Sequence, residues 1–344
     1  MSEKRGRTGD MTTKTSGTGV GGVIMTPPRR RWRIPGALAW VAVTPFAAWA
    51  LARLAGLERG SFPTQIMTAT PYAAAGSLLP LLLAALSRKR SATAVALATT
   101  AALGFSVLPR ALPSGQPAAT GPTLRIMSSN LLFGRADAES VVSLVRRLQP
   151  DVLSTQELTP DAVSELDAAG LKDLMPYRIL KDEWSASGSG LYARYPLTEL
   201  DDLFHAIGHN MPAASMTLPG GQALQIVDVH PFTPLGPQVT QWTEGLRNLP
   251  SAQPTGAFRI LVGDFNSSLD HAELRKVVAR GYADAGDSTG KGLIPTWPSN
   301  KKIPPIITID HVLADQRIAI IDYGVYKVPQ TDHRTIFAEL RLPS

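Results

Sequence analysis

The sequence predicts an α/β layered domain preceded by three transmembrane helices. Between residues 34 and 108 the chain runs through three long apolar stretches separated by short charged loops. From about residue 123, short apolar runs alternate with segments of helical spacing, the pattern of sheets covered by helices. Those apolar runs end, one after another, in a residue able to bind a metal ion or a phosphate.

Composition narrows the class. Of 344 residues, 44% are hydrophobic and only 18% charged, a low charged share for a wholly soluble chain. There is no cysteine, which excludes disulfides, a thiol nucleophile and cysteine-ligated zinc or iron–sulfur sites. The net charge of +6 conceals an asymmetry. Residues 1–122 carry 14 Lys and Arg against 3 Asp and Glu, or +11, whereas residues 123–344 carry 20 against 25, or −5. Nucleic-acid binders concentrate basic residues on the binding domain, so a net-acidic second part argues against a nucleic-acid partner.

Residues 1–28 are rich in Gly, Thr, Ser, Lys and Arg and cannot bury a core, so a disordered basic tail is expected. Arg29, Arg30, Arg31 and Arg33 then precede a first apolar run at about 34–54; a second spans about 65–86 and a third about 92–108. The first two have the roughly 20 residues that cross a ~30 Å hydrocarbon layer, and the third, rich in Ala and Thr, sits at the low end of that range. The basic flank also fits a signal peptide, but the run is too long for one and two more follow. Basic loop residues prefer the cytoplasm. Those four arginines, together with Arg88, Lys89 and Arg90 between the second and third runs, put the C-terminal part outside the cell if all three runs cross. Were the third run not a span, that part would lie inside. Residues 109–122, punctuated by Pro109, Pro113 and Pro117, read as an exposed linker to a domain over 123–344.

In that domain, residues 124–128 read as a strand ending at Ser129-Asn130, 139–147 as a helix, and 152–155 as a buried strand ending at Gln156-Glu157. Strands follow at 190–193, at 224–229 ending in His230, and at 258–262 ending at Gly263-Asp264-Phe265-Asn266. Two more, 307–313 and 336–340, flank Asp332-His333 and carry Asp310. Strand ends on a rigid sheet are where α/β proteins place ligand groups. Mg²⁺ takes oxygen ligands and keeps several waters, so a few carboxylates and amides suffice. A phosphoryl centre also needs a group to orient or deprotonate water, and donors for its oxygens. Two histidines with separate carboxylate partners suit in-line displacement at phosphorus.

Taken singly, each residue has a plainer reading. Asn130 fits a turn, His230 a loop, Asp264 with Asn266 an Asx turn, Asp310 a cap, and Asp332-His333 an exposed turn. Glu157 is harder to dismiss, because a carboxylate at a buried strand end is costly without a partner. His311 neighbours Asp310 on its strand, points to the other face, and reads as structural. His205, His209 and His271 read as surface histidines.

Met127-Ser128-Ser129-Asn130, Gln156-Glu157, Val229-His230, Gly263-Asp264-Phe265-Asn266, Thr308-Ile309-Asp310-His311 and Thr331-Asp332-His333 follow one another in a telling order. In that order they resemble the motifs of the endonuclease/exonuclease/phosphatase superfamily, over residues 123–344. The resemblance implies a four-layer α/β sandwich of two mixed sheets flanked by helices. It implies a metal-dependent hydrolase of phosphoric esters or pyrophosphates that uses Mg²⁺ or, in its place, Mn²⁺. By the same resemblance Glu157 is the main metal ligand, with Asn130 and Asp332 assisting. Asp264 positions or deprotonates the attacking water, and Asn266 holds it and a phosphate oxygen. His333 donates to the phosphoryl oxygen, Asp310 orients His333, and His230 contacts the phosphate from the other side. Arg194 matches a basic position common in the family and is a candidate substrate contact, with a surface role equally open. Trp297 either lines the cleft or packs.

Three spans in front of such a domain are similar to the VanJ type of actinobacterial teicoplanin-resistance protein. That likeness implies a multi-pass membrane protein whose extracellular domain acts on a lipid-linked phosphate, undecaprenyl pyrophosphate foremost, in cell-wall recycling. The alternatives are a phosphodiesterase of lipid headgroups or of nucleic acid, and a membrane-bound interaction protein with a degenerate site.

Overall fold

The protein is described by a computed structural model over residue 9, residues 35–300 and residues 304–344. The expected disordered tail, Gly9 apart, and the arginines at 29, 30, 31 and 33 lie outside the described residues. Helix α1 (Gly36–Ala55) is followed by a short α2 (Ser61–Met67), then α3 (Thr70–Gly76) and α4 (Leu78–Ser87), and then α5 (Arg90–Val107). Among the described residues, three helical stretches are long and apolar enough to cross a membrane: Gly36–Ala55, Thr70–Ser87 and Arg90–Ala111. The third, short by composition, reaches 22 residues because a 3₁₀ turn at Leu108–Ala111 extends it.

The second stretch begins later than the sequence led us to expect. Residues 65–67 belong to α2, and a new helix starts at Thr70 with Pro71 in its first turn. Proline has no N–H to give a preceding turn and restrains the residue before it, so it opens a helix more readily than it continues one. The Thr70 hydroxyl donates to the Met67 carbonyl at 2.6 Å and closes off the earlier turn. Helices α1, α4 and α5 meet through Ala39, Val43, Ala84, Ala92 and Ala96, small residues that let backbones approach closely.

Residues 112–122 are largely exposed, but they are stitched to the rest of the chain. Ser114 N–H donates to Ser288 O at 3.0 Å, and Ile320 N–H donates to the Gln116 side chain at 2.8 Å. Arg110, at the start of the expected linker, is buried.

The domain proceeds through β1 (Thr123–Asn130), α6 (Ala138–Leu148), β2 (Val152–Gln156), α7 (Pro160–Ala168), α8 (Leu171–Leu174), β3 (Tyr177–Lys181) and β4 (Ser189–Ala193). Then come β5 (Leu197–Glu199), β6 (Ala213–Thr217), β7 (Ala223–Val229), α9 (Val239–Asn248), β8 (Phe258–Asp264) and α10 (Ala272–Val278). It ends with β9 (Tyr282–Asp284), α11 (Ala285–Ser288), β10 (Asp310–Asp315), β11 (Ala319–Lys327) and β12 (Arg334–Arg341). Among the described residues these strands form two six-stranded mixed sheets, ordered β11-β12-β1-β2-β4-β3 and β5-β6-β7-β8-β10-β9. Each has one parallel pair at its centre, β1 with β2 and β7 with β8.

Period-2 alternation builds the layers. Leu124, Ile126 and Val152 of the first sheet pack against Ile226, Ile260 and Val262 of the second. Alternate residues face outward: Met127 and Leu153 under α6–α8, and Val227 and Leu261 under α9 and α10. This is the expected four-layer sandwich. Caps fix two of the covering helices, Asp137 accepting from Ser140 N–H at 2.9 Å and Thr159 from Ala162 N–H at 3.2 Å.

Candidate active site

The parity that fills the inter-sheet core also aims the chemistry. On β1, Asn130 shares its face with Leu124 and Ile126; on β8, Asp264 shares its face with Ile260 and Val262. Both point between the sheets at the ends of their strands. On β7 the same face brings in Asp228 and, just past the strand, His230. Strand β10 runs antiparallel to β8 and pairs Asp310 with Asp264. Strand β12 runs antiparallel to β1, so the residues leading into it arrive beside Asn130, whose carbonyl accepts from the Thr331 hydroxyl at 2.8 Å. The backbone of β8 can lie against β7 here because residue 263 is glycine. With φ at 148°, a Cβ at Gly263 would fall 2.2 Å from Val229 O.

These groups form one network. Asn130 Nδ2 donates to Glu157 Oε1 and to Asp264 Oδ2, 3.1 Å each, while Asn130 Oδ1 accepts from Leu132 N–H at 2.9 Å. Glu157 Oε2 accepts from Phe133 N–H at 2.9 Å. Asn266 N–H donates to Asp264 Oδ1 at 2.8 Å, and its side chain donates to Pro231 O at 3.1 Å. His333 Nδ1 lies 3.0 Å from Asp310 Oδ2, and its Nε2 lies 3.5 Å from Asp264 Oδ2. His230 Nε2 approaches the same Asp264 oxygen at 3.8 Å from the other side. Trp297 Nε1 donates to Asp332 Oδ2 at 3.1 Å. Glu157 and Asn266 hold positive φ of 56° and 47°, a conformation uncommon outside glycine that these bonds keep in place.

Burial and charge set the protonation states. Burial pushes the Asp264 carboxyl up to about 7 and raises that of Glu157. For His333, burial alone would favour the neutral ring, but the Asp310 and Asp264 carboxylates outweigh it and carry the imidazole up to about 10. Burial drives His230 well below its ordinary value, with His209 and His333 adding to the effect.

Two acidic clusters could hold a divalent ion. Asp264, Asp310 and His333 offer ligand atoms within 4.8 Å of one another. There, however, His333 Nδ1 is already engaged by Asp310, 3.0 Å away. Glu157 and Asp332 fit a cation better. They are close enough to raise the Glu157 carboxyl by like-charge repulsion, and the buried Asp332 Oδ1 has no hydrogen-bond partner among the described residues. A hard oxygen-seeking cation suits both features.

Of the residues singled out in the sequence, Glu157, His230, Asp264, Asn266, Trp297, Asp332 and His333 line one cleft of about 600 Å³. Asn130 and Asp310 support it from within through the bonds above. Trp297 therefore lines the cleft.

Arg194 is a correction. Strand β4 is antiparallel to β2, and Ala193 pairs with Val152, so the residue after β4 emerges at the end of the sheet opposite Glu157. There Arg194 N–H donates to Asp151 O at 3.0 Å and its side chain to Gln149. Two histidines expected at the surface are elsewhere. His209 is half-buried in the cleft with Nδ1 3.1 Å from His230 Nδ1, and burial lowers it to about 4. His271 is fully buried, its Nε2–H donating to Thr64 O at 2.8 Å. His205 is exposed, and His311 is structural, bonded to Asp284 at 2.7 Å and Ser267 O at 2.9 Å.

Nothing in the sequence marked the apolar lining from Leu132, Phe133 and Phe232, nor Gln65 and Thr68 from the region of the apolar helices. For Gln65 the only signal was a polar side chain inside an apolar run.

A family model described as Endonuclease/Exonuclease/phosphatase family matches residues 127–333. A search among curated proteins gave no match. Among solved structures, an endonuclease/exonuclease/phosphatase family protein from Bacteroides thetaiotaomicron is 15% identical with a TM-score of 0.50, over 65% of this chain and 100% of that one. A mannosyl-6-phosphatase from the same organism is 16% identical, with a TM-score of 0.49, over 63% and 99%. D. rerio TDP2 complexed with single-strand DNA product is 20% identical, with a TM-score of 0.49, over 64% and 99%. At these identities the likeness concerns the fold. The family match spans most of the domain and every strand end described above, and so this chain belongs to the endonuclease/exonuclease/phosphatase family, as a hydrolase of phosphoester substrates.

Proposed function

We propose that the protein is a membrane-anchored, Mg²⁺-dependent phosphohydrolase whose catalytic domain lies outside the cell. Its proposed substrate is a lipid-linked phosphate, undecaprenyl pyrophosphate foremost, with a role in teicoplanin resistance of the VanJ type. The observation that carries this reading is the convergence of Glu157, His230, Asp264, Asp332 and His333 in one cleft of a domain tied to three apolar helices.

In this reading Glu157 and Asp332 hold the metal, with Asn130 fixing the Glu157 carboxylate. Mg²⁺, when bound, neutralises phosphoryl oxygens. Asp264 takes the proton of the attacking water as its oxygen bonds to phosphorus, and the bond to the leaving oxygen breaks on the opposite side. A carboxyl raised to about 7 is matched to that exchange near neutral pH. Asn266, whose N–H already grips Asp264, orients water and a phosphoryl oxygen. His333, a cation fixed by Asp310, donates to an oxygen that gains charge, and neutral His230 donates from the other flank.

Orientation is supported by the helix arrangement. Gly36 at the start of α1 lies against the Lys89 side chain, while Arg53 near its end pairs with Asp270 of the domain. The basic Arg88–Arg90 segment thus stands a helix length from the domain, and because basic loops favour the cytoplasm this supports a domain on the other side. Phosphate release in Mg²⁺ over a panel of polyprenyl pyrophosphate, phospholipid and oligonucleotide tests the substrate. Headgroup or nucleotide release without phosphate from the polyprenyl compound would favour a phosphodiesterase. A C-terminal reporter active only in the cytoplasm would remove the extracellular assignment.

A further inference from the structure

The wall of the catalytic cleft is not all domain. Gln65 and Thr68, from α2 and the turn after it, line the same cavity as Asp264 and His333. This segment is pinned to the cleft walls along its length. The Ser61 hydroxyl donates to Pro234 O at 3.0 Å and accepts from Gly236 N–H at 2.8 Å. Thr64 O accepts from His271 at 2.8 Å, and the Tyr72 hydroxyl donates to Ile306 O at 2.7 Å. Pro234 and Ile306 themselves line the cleft.

The cavity has two characters. Its inner end carries the carboxylates and histidines, whereas Phe133, Leu235 and Ile306 at its rim are 49%, 51% and 41% exposed. Exposed apolar side chains around a polar site mark a surface built for an apolar partner. Leu57 before α2 and Phe62 within it are also 56% and 72% exposed, near where the first apolar helix ends. An amphiphile with a phosphate head and a hydrocarbon tail matches both ends of the cleft and the membrane-side position of the wall.

We propose that Gln65 and Thr68 are specificity residues, forming with the apolar rim a channel wall for the first carbons of a hydrocarbon chain whose phosphate reaches Asp264 and His333. This inference rests on the proposed lipid-linked substrate. It makes the loop between the first two apolar helices part of the enzyme and not only a tether.

The test uses the full chain in detergent micelles with Mg²⁺, comparing undecaprenyl pyrophosphate with isopentenyl pyrophosphate, which bears the same head on five carbons. Thr68→Trp narrows the wall and Gln65→Ala opens it. Each is expected to lower the ratio of kcat/KM for the long substrate over the short one, by about 10-fold for Thr68→Trp. Far-UV circular dichroism reports that a variant is folded, and Gln65→Ala keeps the test intact if Thr68→Trp misfolds. An unchanged ratio in a folded variant overturns the inference and leaves the proposed function standing. A wild-type protein that hydrolyses only the short compound overturns the lipid-linked reading, and the inference with it.

Discussion

Asp270 is the joint between the apolar helices and the loop that follows strand β8, and its loss is expected to destabilise the protein more than the loss of either basic partner. Its carboxylate accepts from Arg53 Nε at 2.9 Å, from Arg110 Nη2 at 2.6 Å and from Arg110 Nη1 at 2.9 Å. All three side chains are less than a tenth exposed, so solvent screens them little. Arg275 stands beside them, donating to Arg53 O at 2.8 Å, and burial with the Arg53 charge lowers it to about 10. In Asp270→Asn two buried guanidiniums lose their counter-charge, which costs about 3–5 kcal/mol. Arg110→Met leaves Asp270 paired with Arg53 and relieves repulsion between the arginines, so its cost is about 2 kcal/mol. At the 2–4 °C per kcal/mol usual for a domain of this size, Asp270→Asn lowers Tm by roughly 6–20 °C. Thermal unfolding of the full chain in detergent, followed by tryptophan fluorescence, measures both variants. A Tm for Asp270→Asn within 2 °C or so of wild type, or an equal loss in Arg110→Met, would refute the reasoning.

Asp264→Ala is expected to abolish turnover with the fold intact, checked by phosphate release alongside circular dichroism; a wild-type rate would place the chemistry elsewhere. Glu157→Gln keeps the bond from Asn130 but halves the local negative charge, so a Mg²⁺ titration of activity should shift to higher concentration, and an unmoved midpoint would sink the ligand assignment. Asp310→Asn removes the charge that outweighs burial at His333. With its imidazole held up to about 10, wild-type His333 keeps its proton through neutral pH and loses it only as pH rises toward that value. The variant is expected to lose about 10²–10⁴ in kcat and to bring the alkaline fall in rate to lower pH. A pH–rate profile whose alkaline limb stays in place argues against His333 as the donor.

The strands that carry the site were legible because they are buried on both faces. Residues 124–128, 152–155, 224–229 and 258–262 are runs of apolar side chains that end abruptly in polar ones, and each fell inside an observed strand. Five strands were not anticipated. Strand β6, a five-residue stretch of Ala, Ser and Thr around a single Met, and the three-residue β9 offer too little apolar pattern to mark a strand. Strands β3, β5 and β11 escaped notice because they lack that burial on both faces. They are short or half-exposed and mix Lys, Glu and Asp with apolar residues, so little in their pattern departs from a loop. Arg194 shows a second limit. It was singled out because it matches a basic position common in the family, but a strand's direction decides which end of the sheet its last residue occupies, and β4 runs against β2. His209 and His271 show a third, since a lone histidine in a polar stretch carries no mark of what will pack over it.

The kinds of elements, the apolar helices, and the list of strand-end groups fit for phosphate chemistry could be read along the chain, because periodicity and strand termination are local properties of it. That these ends meet at one edge of two stacked sheets came from the packed fold. From it too came the pairing of Asp310 with His333 and the place of the segment around Gln65 in the cleft wall. Those contacts join residues tens to hundreds of positions apart, and their partners are chosen by strand order, direction and packing, which no local pattern encodes.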